Sequence, residues 1–376
     1  MPDERPENQT VLLGHDAALK TFADMYGQNT LAGSWMICGE KGIGKATLAF
    51  RLARFLFARE SAAASLFGGA SEISDTLEVS ETDTAFKAVA ARTHADLMVL
   101  ECSLTDKELK DRQALLDAGK TLDAETESRR KRNNEIRADD IRRTNDFLRR
   151  TSGTGAWRVL IVDSADDMNA NAANALLKSL EEPAANRLIL LIAHRPSSLL
   201  PTIRSRCRKI YLKPLQNADM ETLLQKHVPE TDASTRAALI SLAAGSIGDA
   251  LLLHRIQGVT TYDSLLKLFS RFPDFDVSGL YAFADAFLKD KETVDAVAKL
   301  LERLMTKATK LAAANLFEPS FFENERAVCS VLAKYLSVPF LSDETVRMRR
   351  VFADTDLDVR QVFVNVCTRL QKGAQT

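Results

Sequence analysis

The sequence predicts an α/β fold with a parallel sheet, followed by a region that is entirely helical. Arg158–Asp163 and Arg187–Ala193 each hold a continuous apolar run, which is typical of strands buried on both faces of a sheet. A helical pattern separates them over Asn171–Glu182. After about Pro214 strand signals end and leucines recur at helical spacing. We therefore expect a parallel α/β domain and then helices.

The elements before and after these runs follow the same alternation. Residues 16–28 have an amphipathic pattern that predicts a first helix. Ser34–Cys38 predicts a short strand, and from Ile43 onward apolar residues recur every three or four positions, which predicts a helix. The remaining predicted elements of this domain are strands at Leu97–Leu100 and Arg208–Leu212 and a helix at Ile136–Arg150.

Composition indicates a soluble globular protein with two or three domains. The chain has 376 residues, of which 45% are hydrophobic and 27% charged. Its net charge of −1 means that binding to nucleic acid or membrane would depend on local patches. Neither a signal peptide nor a run of about 18 apolar residues is found, so no membrane association is expected. Five scattered cysteines favour reduced thiols and a cytoplasmic location.

Two segments interrupt the alternation of strands and helices. Residues 61–84 are expected to form a loop or an insertion. Residues 105–135 are highly charged and include the basic run Arg129–Arg132. A block of charge is usually a solvated surface, and contact with a nucleic-acid backbone is the functional alternative.

The segment Gly39–Ala46 matches a phosphate-binding loop except at its last residue. That pattern is glycine, four residues, Gly-Lys, and then serine or threonine. Glycines at 39, 42 and 44 let backbone N–H groups surround phosphate oxygens, and Lys45 reaches the terminal phosphates. The candidate nucleotide-binding residues are therefore Gly39, Gly42, Gly44, Lys45, Thr47 and Asp163.

The groups that hydrolysis needs are missing at two positions. The hydroxyl that would ligate Mg²⁺ is replaced by Ala46, and Thr47 comes one position too late. Asp163 ends a buried strand, where an acid holds Mg²⁺ through water, but Ser164 stands where the catalytic acid is expected. A serine hydroxyl is a poor base at neutral pH. Asp166 follows, and we expect it to point away from the site.

Three segments together resemble the delta-prime subunits of the bacterial DNA polymerase III clamp loader, in the AAA+ family. They are the glycine loop with its flanking elements, Val159–Asp163 leading into Asn174–Pro183, and Leu200–Cys207. The runs Leu-Leu-Lys-Ser-Leu-Glu-Glu-Pro and Ser-Arg-Cys are specific for clamp-loader subunits, whereas phosphate loops occur in many NTPases. The resemblance implies an AAA+ P-loop domain at 1–213, a helical lid domain at 214–258 and a helical collar domain at 259–376.

The resemblance also implies a role for Arg206. In clamp-loader subunits the arginine of Ser-Arg-Cys acts in trans, as a finger that stabilises the γ-phosphate of ATP on the neighbouring subunit. A guanidinium suits this role because it is always charged and donates through a rigid fork. The residues alone leave open that Arg204, Arg206 and Arg208 form ordinary surface ion pairs.

Other positions depart from the hydrolysing relatives. Gly248 replaces the arginine of a Gly-Ser-x-Arg-Asp-Ala-Leu motif that touches the subunit's own nucleotide, and His194 falls where a polar residue is expected after a strand. Four clustered cysteines hold zinc in some relatives, but residues 46–101 contain none, so no zinc is expected. Lys45 is either a relic or part of a weak site for ATP or ADP.

The resemblance therefore implies a subunit of the DNA polymerase III holoenzyme whose own ATPase activity is absent or weak. Its implied partners are the gamma/tau motor subunits and delta in a hetero-pentamer, and through them the sliding clamp and primer–template DNA. Two alternatives stay open. The chain is an active ATPase if Thr47 or water replaces the missing ligand. It is a DNA-binding module if Arg129–Arg132 act with a second basic set, consisting of Arg142, Arg143, Arg149 and Arg150.

Overall fold

The computed structural model describes residues 5–64, 75–118, 132–133, 135–150, 157–181, 186–318, 320–353 and 358–374, with the backbone alone at 62–64 and 353. The chain divides into two compact units, Met1–Leu215 and Gln216–Thr376. The first combines a sheet with helices, and in its described residues the second is helical. The predicted α/β fold followed by helices is therefore confirmed.

A five-stranded parallel sheet forms the centre of the first unit, in the order β2–β3–β4–β1–β5. The strands are β1 (Gly33–Cys38), β2 (Leu97–Leu100), β3 (Arg158–Val162), β4 (Arg187–Ala193) and β5 (Arg208–Tyr211). All five were predicted to within one residue at each end. Because every pair is parallel, the carboxyl ends of the strands share one edge of the sheet, and their amino ends share the other.

Helices cover both faces of this sheet. They are α1 (Asp16–Gly27), α2 (Lys45–Ala64), α3 (Thr84–Ala90), α4 (Asp106–Asp117), α5 (Ala138–Arg149), α6 (Ala170–Glu181) and α7 (Pro201–Arg204). Alternate residues of β1 enter two separate cores: Trp35 and Ile37 pack with the α1 and α2 side, while Met36 and Cys38 pack with the α5 and α6 side. This double burial explains why the strands are continuously apolar.

The charged segment is only partly described. Helix α4 contains no buried residue, as expected of a solvated face. Residues 119–131, which include most of the basic run Arg129–Arg132, lie outside the described residues, as do residues 65–74 of the predicted 61–84 insertion.

The second unit consists of packed helices. These are α8 (Asn217–His227), α9 (Ala233–Ala243), α10 (Ile247–Arg255), α11 (Gly258–Phe269), α12 (Val277–Phe287), α13 (Lys291–Ala314), α14 (Glu325–Tyr335), α15 (Val338–Ala353) and α16 (Val359–Gly373). Its core includes a buried carboxylate, Glu325, which accepts hydrogen bonds from Tyr262 and from Lys307, the latter at 2.5 Å. The division of this unit into lid and collar domains stays a prediction.

None of the helices in the described part of the chain is long and apolar enough to cross a membrane. All five cysteines are free thiols. Burial raises the pKa of the Cys207 thiol to about 12 and that of Cys102 to about 11, so both are protonated at neutral pH.

Candidate functional site

The glycine loop leaves β1 at the carboxyl edge of the sheet. Gly39, Gly42 and Gly44 have φ angles of +149°, +79° and +102°, which L side chains rarely adopt. A Cβ on Gly39 would lie 2.7 Å from the carbonyl oxygen of Leu212, so that position also lacks room for a side chain. The glycines predicted from the motif therefore shape the loop as expected.

A histidine outside the motif is hydrogen-bonded to the backbone of the loop. The buried His15 precedes α1, and its Nε2 lies 2.6 Å from the carbonyl oxygen of Ile43. Since a carbonyl only accepts, this nitrogen carries the proton and donates it. Our sequence analysis missed His15, because a lone histidine before a helix carries no motif.

Lys45 begins α2 and turns inward, toward the loop that precedes it. It is 3% exposed, and its Nζ donates to the carbonyl oxygen of Gly39 at 2.8 Å and to that of Glu40. Burial lowers the pKa of the ammonium to about 8, and the negative charges of Asp166 and Asp163 partly oppose this shift. The lysine is thus held by its own loop and faces two carboxylates.

Asp163 directly follows β3, beside this lysine, as predicted. Its backbone N–H donates to the carbonyl oxygen of Leu100 at 2.8 Å. Burial, and then the neighbouring charge of Glu101, raise the pKa of the Asp163 carboxyl. Glu101 is a second acid at this edge, but it is paired with Arg92 at 2.8 Å and Arg132 at 3.0 Å. Our sequence analysis did not single out Glu101, and the feature that could have identified it is its position immediately after β2.

Ser164 and His194 meet at the ends of β3 and β4. The Ser164 Oγ and the His194 Nε2 are 3.1 Å apart, within hydrogen-bonding distance. Burial, together with the charge of Lys45, lowers the pKa of His194 to about 4, so the ring is neutral at pH 7. Ser164 therefore stands where the catalytic acid is expected, and its hydroxyl is hydrogen-bonded to a neutral histidine. A serine paired with a histidine of such low pKa is a weak base.

The expectation that Asp166 points away from the site was wrong. Its carboxylate accepts the backbone N–H of His194 at 2.9 Å and that of Arg195 at 3.2 Å. The short helical turn after Ser164 brings the carboxylate back toward the end of β4. Asp166 thereby fixes the backbone that carries His194.

The remaining predicted residues are placed as follows. Ala46 and Thr47 lie half-buried in the first turn of α2. Gly248 lies in the second unit, near the start of α10. No group of three or more histidine, cysteine, aspartate or glutamate side chains suited to a metal ion occurs within the ranges that the structure describes.

Arg206 lies at the opposite edge of the sheet from the loop. It precedes β5, in which Arg208 pairs with Trp35 and Tyr211 pairs with Cys38, the residue before the glycine loop. Strand β5 alone spans about 10 Å at a rise of about 3.3 Å per residue. The guanidinium is therefore at the amino edge, whereas Lys45 is at the carboxyl edge.

The Arg206 side chain is 36% exposed and has acceptors in its own chain. Its Nη2 lies 2.8 Å from Oε1 of Glu181, and its Nη1 donates to the carbonyl oxygen of Thr202 at 3.0 Å. Arg208 instead donates to the carbonyl oxygen of Thr30 at 2.7 Å. The surface ion pair that the sequence left open thus exists for Arg206, and it leaves part of the guanidinium exposed.

The basic set on α5 is partly neutralised. Arg142 pairs with Asp139 at 2.5 Å and Arg143 with Asp140 at 3.4 Å, both on the same helix. This arrangement weakens the basis for a DNA-binding module, because half of the set has local counterions.

The comparison with known families decides the identity. A family model described as "DNA polymerase III, delta subunit" matches residues 14–216, more than half of the chain. The chain belongs to this DNA polymerase III delta-prime family. The matched residues cover all five strands of the parallel sheet and the glycine loop.

Several proteins are similar to this family member. DNA polymerase III subunit delta' of Pseudomonas aeruginosa is 33% identical over 63% of this chain and 60% of that protein. The Escherichia coli subunit delta' is 38% identical over 37% of this chain and 41% of that protein. The chain therefore matches less than two thirds of these relatives' lengths. A gamma subunit-related protein of Thermotoga maritima, with a solved structure, is 17% identical, with a TM-score of 0.42 over 95% of this chain and 99% of that one.

Proposed function

We propose that this delta-prime family member is a non-hydrolysing clamp-loader subunit, and that Arg206 stabilises the γ-phosphate of ATP bound to a neighbouring subunit. The observation that supports this most strongly is the placement of Arg206 at the opposite edge of the sheet from Lys45. An arginine separated from its own phosphate loop in this way does not reach a nucleotide held there, so any nucleotide that it serves is held by another chain. Its partial exposure leaves it accessible to that chain.

The chemistry at the carboxyl edge supports the absence of hydrolysis. Ala46 stands where a Mg²⁺ ligand is expected. Ser164 stands where the catalytic acid is expected, and it is hydrogen-bonded to His194. Glu101, the other acid at this edge, is held in ion pairs with Arg92 and Arg132. The residues present do not fit a catalytic Mg²⁺ site, so no step is assigned to that metal.

The same edge does fit the phosphates of a nucleotide. The glycine loop presents backbone N–H groups, and Lys45 can turn from its two carbonyl partners to phosphate oxygens. We propose that ATP or ADP is held here without turnover. Thr47 lies in the first turn of α2, and the charge of Asp163 acts on Lys45, so we propose that both residues line this site.

The partners follow from the similar proteins and stay part of the proposal. DNA polymerase III subunit tau/gamma of Haemophilus influenzae is 24% identical over 66% of this chain and 30% of that protein. We propose that gamma/tau and delta subunits assemble with this chain in the cytoplasm and load a sliding clamp on primer–template DNA. Residues 214–258 would be the lid and residues 259–376 the collar that joins the subunits.

The test is Arg206→Ala in a complex reconstituted with motor and delta subunits, a clamp and DNA. Removing an arginine finger costs about 10³-fold or more at the site it serves. We expect the ATP at one site not to be hydrolysed in the first turnover, while the complex still assembles. Rapid measurement of phosphate release would show this loss.

The matched control is Arg255→Ala in the second unit. Arg255 is also 36% exposed, and it pairs with Glu292 at 2.9 Å, much as Arg206 pairs with Glu181 at 2.8 Å. The control should leave phosphate release unchanged. Unaltered release in the Arg206→Ala complex would refute the finger assignment, and turnover by the isolated chain that Lys45→Ala abolishes would refute the lack of hydrolysis.

A further inference from the structure

Two oxygen atoms contact the exposed end of Arg206, one through an ion pair and one through a hydrogen bond. One is Oε1 of Glu181, 2.8 Å from Nη2, and the other is the carbonyl oxygen of Thr202, 3.0 Å from Nη1. A guanidinium has five N–H donors. Nη1 donates to Thr202 and Nη2 forms an ion pair with Glu181, so other N–H groups can still donate to an incoming anion.

The backbone beneath this side chain is anchored in the core. Ile203 is fully buried and Cys207 is 7% exposed, so the residues on both sides of Arg206 are fixed by packing. Leu176 and Leu180 of α6 belong to the same core cluster. Arg206 and Glu181 therefore project from elements that are packed against one another.

Glu181 is the last residue of α6, which adds to its attraction for a cation. Backbone carbonyl groups at a helix C-terminus carry partial negative charge, and they favour a guanidinium placed there. Glu181 is 47% exposed, and such exposed ion pairs are weak. The contact can therefore orient the arginine without trapping it.

We propose that Glu181 is a positioning residue for the Arg206 finger, and that it aims the guanidinium at the neighbour's γ-phosphate before that neighbour docks. This inference rests on the proposed function. A charged group held in place before the transition state loses less conformational freedom on reaction, so it stabilises that state more than a freely rotating one.

The test is Glu181→Gln in the reconstituted complex. Glutamine keeps the shape of the side chain and removes its charge. We expect the turnover rate of the served site to fall by about three- to tenfold, with little change in the KM for ATP, because ATP is bound by the neighbour. Glu181→Asp, which restores the charge, should recover part of the rate. In an Arg206→Ala background, Glu181→Gln should cause no further loss.

The control is Glu292→Gln, which breaks the matched pair with Arg255 and should leave turnover unchanged. Turnover equal to or faster than that of the unmodified complex would overturn the positioning role, as would a loss that persists in the Arg206→Ala background. If Arg206→Ala slows turnover and Glu181→Gln does not, the positioning role alone fails. If Arg206→Ala has no effect, the finger and its positioning residue fail together.

Discussion

The two edges of the parallel sheet differ in what their charged groups contact. At the carboxyl edge, Lys45 is 3% exposed and is bound to the carbonyl groups of its own loop, and Ser164 is bound to His194. At the amino edge, Arg206 is 36% exposed. The carboxyl edge keeps the glycine loop and Lys45, with Ala46 and Ser164 at the positions expected for a metal ligand and a catalytic acid. The amino edge presents a cation outward.

Under the proposed function, this difference means that residues kept in a degenerate enzyme site need not serve that site. Lys45 donates to the carbonyl oxygen of Gly39, directly after β1, and the Asp163 N–H donates to Leu100 in β2, so both residues also support the fold. The comparison can be tested by disturbing each edge separately. Both tryptophans, Trp35 and Trp157, lie in the first unit, so their fluorescence follows the unfolding of this unit within the full chain.

The largest effect is expected at the amino edge, from Arg158→Met. Arg158 begins β3 and donates to Asp96 at 2.6 Å, and the two side chains are 5% and 0% exposed. Removing the arginine breaks this buried ion pair, which costs about 3–5 kcal/mol. Urea unfolding followed by tryptophan fluorescence measures this loss.

The exposed pair of Arg142 and Asp139 supplies the control. Arg142→Met should change the free energy of unfolding by no more than about 0.5 kcal/mol. If Arg158→Met proved equally mild, the amino edge would not be the rigid support that the comparison requires.

An intermediate effect is expected at the carboxyl edge, from the pH dependence of stability. Burial lowers the pKa of Lys45 to about 8 from 10.5. Between these values the unfolded chain holds a proton that the folded chain has lost, so this group makes the free energy of unfolding rise with pH. The slope is at most about 1.4 kcal/mol per pH unit.

Lys45→Met should remove that slope between pH 8 and pH 10, as measured by urea unfolding at a series of pH values. Lys41→Met changes an exposed lysine of the same loop and should leave the slope in place. A slope that survives in Lys45→Met would mean that the ammonium is well hydrated in the folded chain, contrary to its inward placement.

The smallest effect is expected from Ser164→Ala. The variant loses one neutral hydrogen bond to His194, which is worth about 1 kcal/mol of stability. Because this edge is not proposed to hydrolyse ATP, phosphate release by the reconstituted complex should not change. Ser198→Ala, at an exposed serine that follows β4, is the control. Slower release with Ser164→Ala alone would show that the carboxyl edge still takes part in turnover.

Much of the first unit could be predicted from the sequence because its signals are local. Continuous apolar runs marked β3 and β4, and the glycine loop marked the turn between β1 and α2. Because these runs were predicted to be parallel strands, the residues that follow them, Asp163 and His194, were expected at one edge of the sheet. The sheet order itself was not predicted, since it depends on contacts between distant segments.

The parts of the site that escaped prediction are contacts made across the fold. His15 reaches the carbonyl of Ile43, 28 residues away. Asp166 reaches the backbone of His194 at the same separation of 28 residues, and this reverses the direction expected for its side chain. Glu181 and Arg206 are likewise joined only when α6 and α7 pack together. No local pattern specifies which of these polar groups will meet.

The parallel arrangement of the strands also gives the domain a direction. A parallel sheet has unlike ends, so copies joined carboxyl edge to amino edge form head-to-tail contacts, in which each interface uses two different surfaces. Under the proposed function, this chain offers Arg206 at one edge and does not hydrolyse ATP at the other, so a finger placed against its own loop would have no catalytic effect. Such a chain would stand at one end of the series, and the succession of catalytic contacts would stop with it.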